Sequence, residues 1–380
     1  MTAQGPQGPE DSTLVTGFPS YTVKRMVMKL LGADPRERVY MLVRDKFSAD
    51  AEEFASSLPP SQRKRLSVLI GDVSSMDLGL SGKEYRTMVA EVTNIHHMAA
   101  HLHMSARKEI IQQVNVGGTR GTLELALECR RLRRFNFWST IHVSGNREGI
   151  VMEDELACGQ TFRNAYEHSK YAAEKIVRSM SRRVPSTILR PGIIVGDSKT
   201  GEIDRFDGPY HLMVLIVESP LDLQLPLPGR GNAPLHLCPV DFVIDAAYLL
   251  SRSPTAVSKT FHLTDPSPLS ARSVYQLVAE RAHRRPPRGG GLPAGLARAL
   301  LRLPGLGRLG GSPQAVLEGF THNVFYNCRN TLDAIRQTEI WCPPFESYVD
   351  NLVRYVKDVR AARRRHMDDE APDPLDGIRA

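Results

Sequence analysis

The chain of 380 residues is too long for one ordinary core and too short for three, so it predicts one large domain with a smaller lobe. Hydrophobic residues at 41% and charged residues at 24% sit near globular averages, which excludes a disordered, collagen-like or coiled-coil chain. The net charge of +7 lies largely in local clusters at 130–134, 281–288 and 360–366, each of which suits an anionic ligand or, equally, a solvated basic face; no aromatics interleave them, so no nucleic acid is expected.

Residues 1–11 are polar and rich in Pro and Gly, without the basic start and apolar stretch of a secretory signal, and predict a loose tail. From residue 13 short apolar runs alternate with helical periodicity. The predicted strands are 13–17, 38–44, 66–72, 94–100, 134–140, 186–196 and 260–265, most of them continuous apolar runs of the kind buried on both faces. Helices are predicted over 21–32, 105–133, 162–182 and 240–251. The fold class is therefore α/β, a Rossmann-type doubly wound parallel sheet of about seven strands, with a smaller C-terminal substrate lobe.

After Gly196 the pattern becomes irregular and rich in Pro and Gly, where a substrate lobe would be inserted. A second irregular region, 285–311, encloses Leu292, Leu296, Leu300 and Leu303 at helical spacing and reads as a lid or lobe helix, preferred over a membrane-surface helix because it is short and flanked by glycines. The domain reading is a nucleotide-binding domain over 12–200 with 236–268 returning to it, a lobe from 201–235 and 269–360, and a charged tail over 361–380. No run of about 18 apolar residues exists, so no transmembrane helix is expected. Cys129, Cys158, Cys238, Cys328 and Cys342 are odd in number and lack ligand spacing, so neither disulfides nor a metal site is expected, and a cytoplasmic location fits.

The first strand ends in Thr16 and Gly17, followed by Phe18, Pro19, Ser20 and Tyr21 and then a helix. A strand, a tight turn and a helix N-terminus make an anion site, because unpaired N–H groups and the helix dipole face a pyrophosphate. Only one glycine stands where the dinucleotide fingerprint has three, so an ordinary strand–helix turn competes with this reading. At the end of the second strand, an acidic residue would bind a ribose 2'-hydroxyl and an arginine a 2'-phosphate; Arg44 stands there, favouring NADP(H) with NAD(H) as the alternative. Gly71 and Asp72 end the third strand near the expected adenine, and Ala99 and Ala100 end the fourth beside the cofactor.

Tyr166 and Lys170 are spaced four apart, so a helix carries both on one face with Cβ atoms about 5–6 Å apart. An ammonium beside a phenol favours the phenolate, which predicts a tyrosine of lowered pKa able to exchange a proton with a carbonyl oxygen. Tyr171 and Lys175 repeat the spacing, so the pattern alone is not specific. Two hydroxyls, Ser139 and Thr140, end the fifth strand at the carboxyl edge where α/β ligands bind, and the sixth ends in Pro191, Gly192 and Ile193, which would line the same crevice.

In this order TGFPS, LVR, GDVSSMDLGLS, HHMAA, VNVGGTRGTLELA, STIHVSG, NAYEHSKYAAEK, ILRPGIIVGDSKTG and PVDFVIDAA resemble an extended short-chain dehydrogenase/reductase. More narrowly the chain is similar to the branch of fatty acyl-CoA reductases and thioester reductases with the male sterility-type NAD-binding domain, over about residues 12–360. The resemblance implies that Tyr166 is the proton donor, that Lys170 holds the nicotinamide ribose, and that Thr140 rather than Ser139 binds the substrate carbonyl. It implies a supporting role for Asn115, where a structural cap is an equal reading, cofactor contacts at Gly17, Arg44 and Asp72, and a nicotinamide flank at Pro191 and Gly192. Ser20 and Val23 replace family glycines. The implied function is NADPH-dependent reduction of an acyl thioester, on coenzyme A or on a carrier protein supplied in trans, or of the derived aldehyde. The alternatives are a dehydrogenase or epimerase of nucleotide sugars or sterols, and a regulatory protein that binds NAD(P) without turnover.

Overall fold

The computed structural model describes residues 11–102, 107–218, 226–228, 231–286, 288–292 and 322–369. In chain order the main strands are β1 Ser12–Thr16, β2 Arg38–Val43, β3 Leu66–Ile70, β4 Asn94–His97, β5 Arg134–Trp138, β6 Ser186–Pro191 and β7 Thr260–Leu263. The main helices are α1 Tyr21–Ala33, α2 Ser48–Ser57, α3 Gly82–Glu91, α4 Lys108–Gln112, α5 Gly118–Glu128, α6 Ala165–Ser179, α7 Pro209–Glu218, α8 Val240–Arg252, α9 Ala271–Arg281, α10 Arg329–Ile335 and α11 Val349–Asp369.

All seven strands form one parallel sheet in the order β7-β6-β5-β4-β1-β2-β3. The order reverses between β1 and β4, and such a switch point opens a crevice at the carboxyl edge. Register aligns that edge: Thr16 pairs with Leu42 on one side and His97 on the other, and His97 pairs with Phe137. Alternate side chains feed two apolar layers. Val15, Met41 and Val43 pack with α1 and α8, while Leu14, Leu42, Ile95, Phe135 and Phe137 pack with α5 and α6.

By contact the chain divides into two compact units, Met1–Ile194 with His236–Pro266 and Asn323–Cys342, and Val195–Leu235 with Ser267–His322 and Pro343–Ala380. In the second unit α7, α9 and α11 pack on one another, fixed by a two-pronged Arg360–Glu218 pair at 2.5 and 2.6 Å and by Tyr355 donating to the Ile203 carbonyl.

Several elements depart from the sequence reading. The run 186–196 breaks at Gly192, where an added Cβ would lie 2.6 Å from Thr264 Oγ1 and 2.7 Å from the His236 carbonyl oxygen; Ile193 then donates to that carbonyl instead of extending the sheet. The helix expected over 105–133 spans Lys108–Glu128 with a π-helical turn, Gln113–Gly117, in its middle, and the one expected over 162–182 spans Ala165–Ser179. The stretch read as irregular contains α7, whose apolar residues are buried. Leu292 ends a short strand, Arg288–Leu292, rather than lying on a lid helix; Leu296, Leu300 and Leu303 fall outside the described residues. α11 continues into the expected charged tail. Among the described residues no helix is long and apolar enough to cross a membrane.

Candidate active site

The turn after β1 is built from Thr16. Its buried Oγ1 accepts the backbone N–H groups of Met98 at 3.2 Å and Ala99 at 3.1 Å, which clamps the end of β1 to the end of β4. Gly17 adopts φ +105°, and an added Cβ would lie 2.8–2.9 Å from the Met98 and Ala99 backbone, so only glycine fits. Phe18, in a cis bond with Pro19, turns away into the core against Phe54, ring centroids 6.0 Å apart. Tyr21 is held along α1, accepting from Arg25 at 2.8 Å.

The Ser20 hydroxyl is exposed and makes no capping bond, and the first turn of α1 carries no carboxylate, so no side chain of that turn neutralises the positive end of the helix dipole. Val23, in place of a family glycine, is buried in the layer that holds Val15, Met26 and Val27. Arg44 is exposed at the end of β2, and its guanidinium and the Lys46 ammonium both lie over the Phe47 ring, at 5.1 and 4.7 Å. Gly71 continues the ladder to Val43, and Asp72 shapes the next loop by accepting from the Ser74 N–H at 2.9 Å and hydroxyl at 2.6 Å. Ala100 follows Ala99 at the edge, half-buried.

The inward face of α6 carries Glu167, Ser169, Lys170 and Glu174 beside Ala173 and Val177. Buried charge on a helix facing a sheet needs partners, and each has them. Lys170 donates to the Trp138 carbonyl at 2.6 Å and lies 4.7 Å from the Phe137 ring centroid. Glu174 accepts from Arg190 at 2.6 and 3.1 Å, from Arg178 at 3.1 Å and from Ser139 at 2.6 Å. Ser139 is thereby committed to a carboxylate. Thr140, buried and accepting from the His142 N–H, places its hydroxyl beside the Tyr166 phenol. Asn115, in the π turn, donates to Ser169 at 2.8 Å and accepts from the His101 N–H at 2.6 Å, while Ser169 donates to the Tyr166 carbonyl. Gly192 follows β6 and lies against Thr264, whose Oγ1 is buried without a partner, and Ile193 comes next. Thr264 lines an apolar recess with Phe242, Leu332, Trp341 and Cys342.

One expectation is overturned. Burial pushes the Tyr166 phenol up to about 12, and the Thr140 hydroxyl offsets this only in part, so the tyrosine is not acidified. Lys170 points its ammonium at the Trp138 carbonyl, and burial draws it down to about 8 while the Glu174 charge holds it up. Sequence reading missed Glu174 and Arg190, because a glutamate within YAAEK looks like an ordinary solvated helix charge and its partner lies on another element.

The sheet order, the Gly17 turn and the Tyr166–Lys170 helix define an extended short-chain dehydrogenase/reductase, a class of NAD(P)-dependent oxidoreductases. Within that class the chain belongs to the NAD-binding family described as male sterility protein, whose sequence model matches residues 15–247. It is 29% identical over 276 residues to a linear gramicidin synthase from Brevibacillus parabrevis, covering 67% of this chain and 5% of that one. It is 26% identical over 277 residues to the fatty acyl-CoA reductase wat of Drosophila melanogaster, covering 62% and 53%. The chain thus spans about half the length of that reductase and a small part of the synthase. The terminal R domain of the myxalamid PKS-NRPS pathway superposes with a TM-score of 0.80 at 27% identity, over 93% of this chain and 92% of that one. A UDP-glucuronic acid 4-epimerase from Bacillus cereus shares the fold at 15% identity, with a TM-score of 0.66 over 92% and 98%.

Proposed function

We propose that the protein is an NADPH-dependent reductase of acyl thioesters, carried on coenzyme A or on a carrier protein, or of the aldehydes derived from them. The observation that carries this reading is the Thr140 hydroxyl beside the Tyr166 phenol at the carboxyl edge of the sheet, with buried Lys170 one turn further along the same helix. The similarity to a fatty acyl-CoA reductase and to R domains supports the thioester as substrate. Thr16, Gly17 and the N-terminus of α1 would hold the pyrophosphate, Arg44 a 2'-phosphate, and Gly192 and Ile193 the nicotinamide flank. The bound nicotinamide supplies a hydride to the carbonyl carbon.

The residues of this chain do the rest. Tyr166 stays protonated across the working pH range and donates a hydrogen bond, then the proton, to the carbonyl oxygen as negative charge develops there; an aldehyde becomes the alcohol, whereas the hemithioacetal formed from a thioester breaks its C–S bond, the hydroxyl proton leaving with the sulfur as the free thiol, to give the aldehyde. Thr140 donates to the same oxygen and keeps the phenol aimed at it. Lys170, cationic near neutrality and anchored on the Trp138 carbonyl, would hold the nicotinamide ribose one turn along the helix from Tyr166. A phenol of high pKa is a donor rather than a base at neutral pH, which favours reduction over alcohol oxidation. To test the reading, NADPH is mixed with the folded protein and a panel of acyl-CoAs and aldehydes, and loss of cofactor fluorescence is followed. Substrate-dependent oxidation of NADPH is expected. Tight binding of NADPH with no turnover on any substrate would favour the regulatory reading, and failure to bind would refute the reductase.

A further inference from the structure

His97 closes β4 with no exposed surface, its ring stacked between Phe135 and Phe137 at 6.1 Å from each. Nδ1 lies 3.1 Å from Thr16 Oγ1 and Nε2 lies 3.1 Å from Thr119 Oγ1. A neutral imidazole has one donor and one acceptor nitrogen, and the two hydroxyls decide which is which. Thr16 Oγ1 already accepts two N–H groups, from Met98 and Ala99, which uses both lone pairs and leaves its hydrogen only for His97 Nδ1. Thr119 Oγ1 must donate to the Asn115 carbonyl at 2.7 Å, because a carbonyl can only accept, so it offers a lone pair to His97 Nε2.

The two ends reach the same assignment independently: Nε2 carries the hydrogen and Nδ1 is bare. An imidazolium would point a second N–H at a hydroxyl whose lone pairs are both engaged. Burial, with the Lys170 charge adding to it, accordingly pushes His97 down to about 3. From Thr119 the chain of bonds continues through Asn115 to Ser169 and from Ser169 to the Tyr166 carbonyl. Every side chain along it is buried.

We propose that His97, as the neutral Nε2-protonated tautomer, is a positioning residue that ties the Gly17 turn to the helix carrying Tyr166, through Thr16 and Thr119. The proposal rests on the reading of that turn as a dinucleotide site. Its first test needs no cofactor. Nitrogen-15 spectra of the histidine-labelled full chain, with the His97 signal assigned by its loss in His97→Phe, are expected to show a pyrrole-type Nε2 and a pyridine-type Nδ1 at neutral pH. An Nδ1-protonated or charged ring would overturn the proposal. In the second test Thr119→Val, which keeps the shape and removes both the bond to His97 and the bond to the Asn115 carbonyl, is expected to weaken NADPH binding about tenfold. Thr119→Ser restores the hydroxyl and is expected to recover binding, with thermal melts verifying that both variants fold. Equal NADPH affinity in Thr119→Val and the parent would overturn the proposal. Failure of the parent to bind NADPH would refute the reductase reading, and the tautomer then decides the proposal by itself.

Discussion

Replacing Glu174 by glutamine tests the buried ion network beneath the active site. The carboxylate has no exposed surface and is held by Arg190, itself 1% exposed, by Arg178 and by Ser139. Removing its charge leaves two guanidiniums without their counter-charge, and breaking a buried pair in this way costs about 3–5 kcal/mol. The lower end applies, about 3 kcal/mol, because the Arg178 side chain is partly solvated and glutamine retains one acceptor oxygen. Urea unfolding followed by circular dichroism measures this. A second readout separates tuning from stability. Glu174 holds up the pKa of Lys170, which burial has already drawn down to about 8, so loss of the charge moves it lower. The alkaline limb of the pH profile for NADPH oxidation is expected to shift to lower pH. A stability loss under about 1 kcal/mol with an unmoved alkaline limb would refute the reasoning.

Acid stability follows from His96, His97 and His262, each buried and pushed down to about 3 from 6.5. The unfolded chain binds these protons first, so stability is full above about pH 6.5 and falls as pH drops toward 3. At pH 5 each group costs about 2 kcal/mol, about 6 kcal/mol for the three, as measured by denaturant midpoints. Glu37 and Glu153, whose carboxyls burial pushes up, offset part of this loss. Arg44→Gln is expected to raise the KM for NADPH about tenfold and leave that for NADH unchanged in steady-state assays. Thr140→Val is expected to lower kcat on the order of 100-fold with little change in melting temperature. Ser139→Ala is expected to do the reverse, costing about 1–2 kcal/mol of stability because Glu174 loses a donor, with kcat nearly retained.

The sheet was legible because strands covered by helices on both faces are rich in apolar residues, and each of the seven predicted runs contains a strand of the sheet, the one at 186–196 only as far as Pro191. The position of the Gly17 turn and the shared helix of Tyr166 and Lys170 followed from the same local rules. What escaped depends on distant residues. The break at Gly192 lies inside the apolar run ILRPGIIV and is imposed by Thr264 and the His236 carbonyl. α7 is flanked by Gly208 and begins with Pro209, so its apolar run was masked by turn-forming neighbours. The pKa of Tyr166 was misjudged because i, i+4 spacing fixes where two side chains start, not where their ends point, and the Lys170 ammonium ends on Trp138.

The π-helical turn at Gln113–Gly117 holds one residue more than a regular helix needs at that point. Deleting a single residue there would let the helix close into a uniform spiral while the turns on either side keep their places, because a π turn fits an extra residue into the same span. The consequence falls on Asn115, which sits in the middle of that turn and bonds Ser169 and the His101 N–H: the scaffold would survive the loss, and the aim of that one amide would not.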